Sequence, residues 1–312
     1  MLASFILHNG FMSIAAYIRE IGRGRDGARS LSRAQATDLF GQLLDGSVTD
    51  LETGAFCLAM RIKGETSQEM AGFLDATHSR LNRIPAAALP VVVIPSYNGA
   101  RKLPVLTPLL ALLVARAGLP VLVHGVATES TRVFTSSVLQ ALDIHAQTTV
   151  RAIAAGTVAF VPTAVLCTGL QRLLDVRRTV GLRNPAHSLV KLMNPCAGAS
   201  LIISSYTHPE YALSMTATFE LMESNAMLLR GTEGEAVADP RRMPKMLGFL
   251  GGHSHVLQEA QSGTLPELPD LPRDTDPLVT AAYIRQVLAG STPVPAPITQ
   301  QVQHILKLTG QL

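Results

Sequence analysis

The chain has 312 residues and 33.2 kDa, 47% apolar with a mean hydropathy of +0.26, which excludes a disordered chain and leaves room for one large domain or two modest ones. A net charge of +3 and a pI near 8.9 permit an anionic partner without requiring one. Cys57, Cys167 and Cys196 are odd in number and lack CxxC spacing, so neither a disulfide framework nor a zinc site is indicated and a reducing, cytoplasmic setting is expected.

The first segment, MLASFILHNGFM (1–12), is apolar but lacks a basic leader and a cleavage pattern; it reads as an N-terminal extension. No apolar run reaches the roughly 18 residues of a spanning helix, so no membrane partner is expected. Residues 13–85 read as a helical domain, open to the addition of helices from the α/β region that follows. SIAAYIREIGRG, SRAQATDLFGQLLDG, TDLETGAFCLAMRIKG and TSQEMAGFLDATHSRL each repeat apolar residues with a 3.6-residue period, with Ser32, Thr49 and Thr66 as N-caps and Gly46 and Gly64 as stops. NRIPAAALP, aperiodic with two prolines, marks the crossing into a second domain, 86–312.

There the pattern changes to strand-like runs, PVVVIP, LPVLVHG, TVAFVP, ASLIISSY and NAMLLRG, alternating with helices such as TPLLALLVARAG, TSSVLQALDI and HPEYALSMTATFELMES. The expected fold class is α/β: a small N-terminal helical domain followed by a larger domain with a mostly parallel sheet flanked by helices. GGHSH reads as a glycine loop with solvated His253 and His255, and the proline- and acid-rich stretch 262–277 as a surface loop.

In such a sheet a ligand lies beyond the carboxyl ends of the strands. The segments placed there are Pro95–Lys102, His124–Arg132, His208–Glu210 and Gly231–Glu235. The first, PSYNGARK, has the position of a phosphate-gripping turn but a single glycine, Gly99, followed by the adjacent cations Arg101 and Lys102. Further basic residues are Arg23, Arg25 and Arg29 in GRGRDGAR, then Arg132, Arg177, Arg178, Arg183 and Lys191.

AMRIKGETSQEMAGF, VHGVATESTRVFTSSVLQAL, GLRNPAHSLVKLMNP and RGTEGE resemble, in order, segments of anthranilate phosphoribosyltransferases, over most of the chain. The resemblance implies a homodimer formed through the helical domain, with phosphoribosyl pyrophosphate and magnesium held in an intervening cleft. It also implies where this chain departs. The family's GTGGDG pyrophosphate loop falls on Pro95 to Ala100, where Pro95 and Tyr97 replace glycines that allow backbone approach. KHGN falls on Val123-His124-Gly125-Val126, and the phosphate-binding Ser-Ser-Lys on Ser130-Thr131-Arg132. The magnesium-binding Asp-Glu pair falls on Ala236-Val237, neither of which offers the oxygen ligands that magnesium requires. Arg183 and His124 take the places of residues lining the anthranilate pocket.

PSYNGARK in place of the glycine loop, with a HGxxxxxTR segment and RGTEGE, is similar to the YbiB-type branch of this family. That branch implies DNA or RNA binding with little sequence preference, without the parent reaction and without a cofactor. The alternative is a phosphoribosyl transferase using magnesium and phosphoribosyl pyrophosphate with an unknown acceptor. On the nucleic-acid reading the phosphate-binding residues are Arg23, Arg25, Asn98, Arg101, Lys102, His124, Ser130, Thr131, Arg132, Arg183 and Lys191, with Tyr97 offering a face on which a base stacks.

Overall fold

The computed structural model describes residues 13–263 and 269–312, so the 1–12 extension and part of the 262–277 loop lie outside the described residues. In chain order the elements are α1 (Ala15–Ile21), α2 (Gly24–Gly27), α3 (Arg33–Asp45), α4 (Asp50–Lys63), α5 (Ser67–His78), β1 (Val91–Ser96), α6 (Thr107–Arg116), β2 (Val121–Gly125), α7 (Thr135–Ala141), β3 (Val158–Pro162), α8 (Thr163–Leu166), α9 (Thr168–Val180), α10 (Ala186–Leu189), β4 (Ser200–Tyr206), α11 (Pro209–Leu221), β5 (Ala226–Arg230), β6 (Met246–Leu250), β7 (His253–Gln258), α12 (Pro277–Leu288) and α13 (Ala296–Leu308). They divide into a helical unit, through Asn82 plus Leu166–Met193, and an α/β unit, Arg83–Val165 plus Asn194–Leu312.

In the helical unit α3, α4 and α5 each begin with a capping box: Ser32 with Gln35, Thr49 with Glu52, and Thr66 with Glu69. Two of these acids also tie down the chain ahead of other helices. Glu52 accepts from the Ser13 hydroxyl and the Ile14 N–H, and Glu69 accepts from the Leu31 N–H while paired with Lys63 at 2.6 Å. The apolar stripes of these helices meet in a cluster of Phe40, Phe56 and Phe73, with ring centroids 4.6 to 6.2 Å apart. The helices added to this unit from beyond residue 85 are α9 and α10, and α9 packs on α3. At Gly169 an added Cβ would fall 2.1 Å from the Leu44 carbonyl oxygen, so glycine allows that approach, and the Arg172 guanidinium donates to the same oxygen at 2.7 Å.

The α/β unit holds one seven-stranded sheet in the order β3-β2-β1-β4-β5-β6-β7. β1 to β5 pair in parallel, and β6 and β7 add an antiparallel ribbon at one edge. This corrects the reading of GGHSH as a loop: Gly251 and Gly252, at φ of +55° and +79°, form the turn, and His253 and His255 lie exposed on β7. The apolar alternation there is too weak to mark a strand. β1 is central and wholly buried, so its carboxyl end, at Ser96, emerges in the middle of the sheet edge. No helix among the described residues is long and apolar enough to cross a membrane.

Candidate functional site

The turn after β1 is held in one conformation by its neighbours. Ala100 and Val133 exchange two backbone hydrogen bonds of 2.7 and 3.1 Å, and the Thr128 hydroxyl donates to the Tyr97 carbonyl at 3.0 Å. Gly99 sits at φ +66°, where a Cβ would also come within 2.7 Å of the Val133 oxygen, so glycine is required at this one place.

This fixed turn aims a row of backbone N–H groups inward, and the chain's own carboxylates accept them. The Asn98 and Gly99 N–H groups both donate to Glu235 Oε1 at 2.8 Å. The Arg101 and Lys102 N–H groups donate to Glu233 Oε2 at 2.8 and 3.2 Å. Glu235 Oε2 accepts from the hydroxyls of Ser96 at 2.5 Å, Thr107 at 3.1 Å and Thr135 at 3.4 Å. Thr107 and Thr135 open α6 and α7, so the carboxylate also sits at the positive ends of two helices. Glu235 is only 2% exposed, and this set of donors makes a buried anion tolerable there.

The clasp that delivers the two acids is equally constrained. Thr232 N–H donates to the Val237 carbonyl at 3.0 Å, and Glu233 and Gly234 adopt φ of +52° and +88°. A left-handed glutamate is strained, and the amides it collects offset that strain. Beyond the clasp, Ala236 and Val237 are each 1% exposed in the core. Gln301 brackets them, donating to the Ala236 carbonyl at 3.0 Å and accepting from the Ala238 N–H at 2.8 Å. These residues do not fit magnesium: the family's two ligand positions are apolar and buried, and Glu233 and Glu235 are committed to the turn. No group of three or more metal-ligating side chains suited to a metal occurs among the described residues.

The structure corrects several expected roles. Tyr97 presents no stacking face; it is buried, with its hydroxyl 2.8 Å from His124 Nδ1 and 2.9 Å from Thr163 Oγ1. Its ring therefore points into the unit and does not block the turn's amides. His124 is fully buried and reaches no phosphate. Asn98 is buried with its amide toward the Glu233 carbonyl. Arg132 is engaged as a brace, its guanidinium donating to Glu129 at 2.9 Å and to the Asn98 carbonyl at 3.1 Å. The alternation of apolar and polar residues through PSYNG carries no mark of which side chains turn inward, and tertiary contacts decide it. Ser130 and Thr131 are exposed, the Thr131 hydroxyl donating to Glu129 at 3.1 Å.

Arg101 and Lys102 are exposed as expected, with their backbone anchored by Glu233. Exposed Arg241 and Arg242, absent from the expected set, belong to the same unit; the Glu233 charge adds to the Asp239 hydrogen bond that raises the Arg241 pKa. Arg183 and Lys191 belong to the helical unit, where Arg183 and Arg177 lie close enough to His187 to add to the effect of burial in pulling its pKa down to about 4. Arg23 is exposed and paired with Glu20 at 2.9 Å; Arg25 lies in α2, and its side chain is outside what the structure describes.

Burial pulls His124 down from 6.5 to about 3. The unfolded chain therefore binds a proton that the folded one refuses, so this contribution to stability is whole above pH 6.5 and is lost as the pH falls toward 3. A His124→Gln variant is expected to lose stability less steeply than the parent between pH 6.5 and 4.5, by up to about 1.4 kcal/mol per pH unit, in urea melts across that range. Equal slopes would show that His124 takes up its proton without unfolding.

Three comparisons place this geometry. Residues 15–80 match the family model described as glycosyl transferase family, helical bundle domain. The uncharacterized protein YbiB of Escherichia coli strain K12 is 40% identical over 307 residues, covering 96% of this chain and 95% of that protein. The chain belongs to the YbiB-type, anthranilate phosphoribosyltransferase-like family. An anthranilate phosphoribosyltransferase of Symbiobacterium thermophilum is 30% identical over 227 residues, 70% of this chain and 64% of that enzyme. The anthranilate phosphoribosyltransferase of Thermus thermophilus shares the fold, with a TM-score of 0.72 at 19% identity over 95% of this chain and 89% of that one. The YbiB-type scaffold is thus that of the transferase, while its β1 turn and its RGTEGE clasp are joined to each other. Sequence reasoning placed Glu233 and Glu235 near the site but not in the turn; the signal was two acids running directly into the apolar AVA of the core.

Proposed function

We propose that this protein binds DNA or RNA with little sequence preference, as a cytoplasmic homodimer without a cofactor, and does not transfer phosphoribosyl groups. The observation that carries the reading is the pairing of the β1 turn's amides with Glu233 and Glu235 while the side chains of Arg101 and Lys102 project beside them. An amide cradle already holding two carboxylates repels pyrophosphate, whereas exposed cations suit a polymer backbone. The helical unit adds further cations, Arg177 and Arg183 near His187 and exposed Arg178 paired with Asp175 at 3.3 Å. Self-association is supported by α4, whose Leu51, Leu58 and Ile62 share one helical face and are 83%, 47% and 57% exposed.

The rival reading, a transferase, makes the opposite demand on the same turn. Calorimetric titration with phosphoribosyl pyrophosphate is expected to give no heat of binding, with or without magnesium, and grafting GTGGDG onto residues 95–100 is expected to give no pyrophosphate release. Magnesium-dependent binding by the parent protein, or turnover by the graft, would overturn the loss of transfer while leaving nucleic-acid binding to its own test.

A further inference from the structure

We propose that Tyr211, with His208 beside it, is the platform on which an unpaired base stacks when a single-stranded nucleic acid crosses the carboxyl edge of the sheet. The inference rests on the nucleic-acid binding proposed above and deepens it. Exposed cations grip phosphates, which a single strand and a duplex both present, whereas a ring face takes only a base that has left its pair. Tyr97, the ring expected there, is buried. Exposed rings at this edge come instead from the segment after β4. β1, β4 and β5 are neighbours in the sheet, so the segments that follow them emerge side by side, about 5 Å apart. Arg101 and Lys102 follow β1, His208 and Tyr211 follow β4, and Arg230 ends β5.

The clasp at 231–235 joins these segments. Glu233 holds the Arg101 and Lys102 N–H groups, while the Gly231 N–H donates to the Tyr206 carbonyl at 3.3 Å and the Gly234 carbonyl accepts from the Ser205 hydroxyl at 2.8 Å. Tyr206 and Arg230 are register partners on parallel strands, so their side chains stand on one face, and the Arg230 charge opposes the burial that raises the Tyr206 pKa. Arg230 thus brings an exposed cation to the strand end from which His208 and Tyr211 leave. Tyr211 lies in the first turn of α11 and keeps 40% of its surface in water, beside exposed His208. The two ring centroids are 6.2 Å apart with planes at 51°, a tilted pair that is not stacked, so neither ring covers the other's face. Glu210 is exposed in the same turn, so the platform draws a base through ring faces and not through net charge. A ring face is open to every base, which matches binding with little sequence preference.

The test is fluorescence anisotropy with a labelled oligodeoxythymidylate, an abasic strand of equal length and a duplex, for the parent, Tyr211→Ala, Tyr211→Phe and Tyr211→Trp proteins. Tyr211→Ala is expected to bind the oligodeoxythymidylate about tenfold more weakly than the parent, the loss of one stacked base, and to bind the abasic strand and the duplex as the parent does. Its salt slope is expected to stay unchanged, because no charge that releases counterions is lost, whereas removing Arg101 and Lys102 lowers that slope. Tyr211→Phe keeps the ring face and is expected to recover the loss. The chain has no tryptophan, so the emission of Tyr211→Trp reports its own site alone. That emission is expected to be quenched by the oligodeoxythymidylate and not by the abasic strand. If Tyr211→Ala is not recovered folded, Tyr211→Trp carries the test. Undiminished binding by Tyr211→Ala, an equal loss on the abasic strand, or tryptophan emission that does not distinguish the two strands overturns the platform and leaves nucleic-acid binding standing. A parent protein that binds none of the three probes overturns that binding itself, and the platform with it.

Discussion

Affinity for a short single-stranded oligonucleotide is expected to fall about 50-fold between 50 and 200 mM salt if four phosphates are neutralised, because each contact releases about 0.7 counterion from single strands. Mixed-sequence oligonucleotides of equal length are expected to bind within a few-fold of one another, since exposed arginines and lysines meet phosphates and not base edges. Replacing Arg101 and Lys102 together by alanine is expected to lower affinity about tenfold for all of them and to reduce the salt slope by about 1.4. The substitutions spare the fold because Glu233 holds the backbone N–H groups of these two residues, not their side chains. Fluorescence anisotropy across a salt series measures both quantities. Affinity independent of salt, or a loss confined to one sequence, is incompatible with the proposed function.

Turning the exposed face of α4 acidic is expected to convert a dimer to a monomer. Leu58 and Ile62 lie one turn apart on the helix, on the side away from the buried Phe56 and Met60. Leu58→Glu with Ile62→Glu would place two like charges on each side of an isologous contact, where each unpaired buried carboxylate costs at least about 2 kcal/mol. The dissociation constant is expected to rise about a thousandfold or more. Light scattering at micromolar concentration reads the outcome against the 33.2 kDa of one chain. A parent protein already monomeric there, or a variant that stays dimeric, removes this face as the dimer contact.

The architecture was largely legible because it rests on local signals. The N-caps Ser32, Thr49 and Thr66 bond to amides three residues ahead, and the first five strands are continuous apolar runs bounded by turns. β6 and β7 were not legible, since MLGFL is short and HSHVLQ is an exposed edge whose side chains meet solvent on both faces. The site was legible in position and misread in occupancy. Arg101 and Lys102 are exposed as their charge demands, but Tyr97 turned inward because His124 and Thr163 together satisfy its hydroxyl, two partners 27 and 66 residues away. The same holds for Glu235, whose donors Asn98 and Gly99 lie 137 and 136 residues back along the chain. Pairings at that separation leave no periodicity to read.

The seating of α9 on α3 has a consequence for synthesis on the ribosome. The helical unit is not continuous in the chain: α1 to α5 are complete by Asn82, yet α9 and α10 arrive only with Leu166–Met193, after β1 to β3 have been made. At roughly 5 to 20 residues per second, α3 therefore emerges with its α9-facing side uncovered for on the order of 5 to 20 s. Leu43, Leu44 and the Gly46 turn are open to other chains during that interval, and Arg172 closes it by capping the Leu44 carbonyl. Nascent chains ending before Leu166 are therefore expected to leave that side of α3 uncovered, and the first three strands of the sheet are made while the helical unit is still waiting for its last helices.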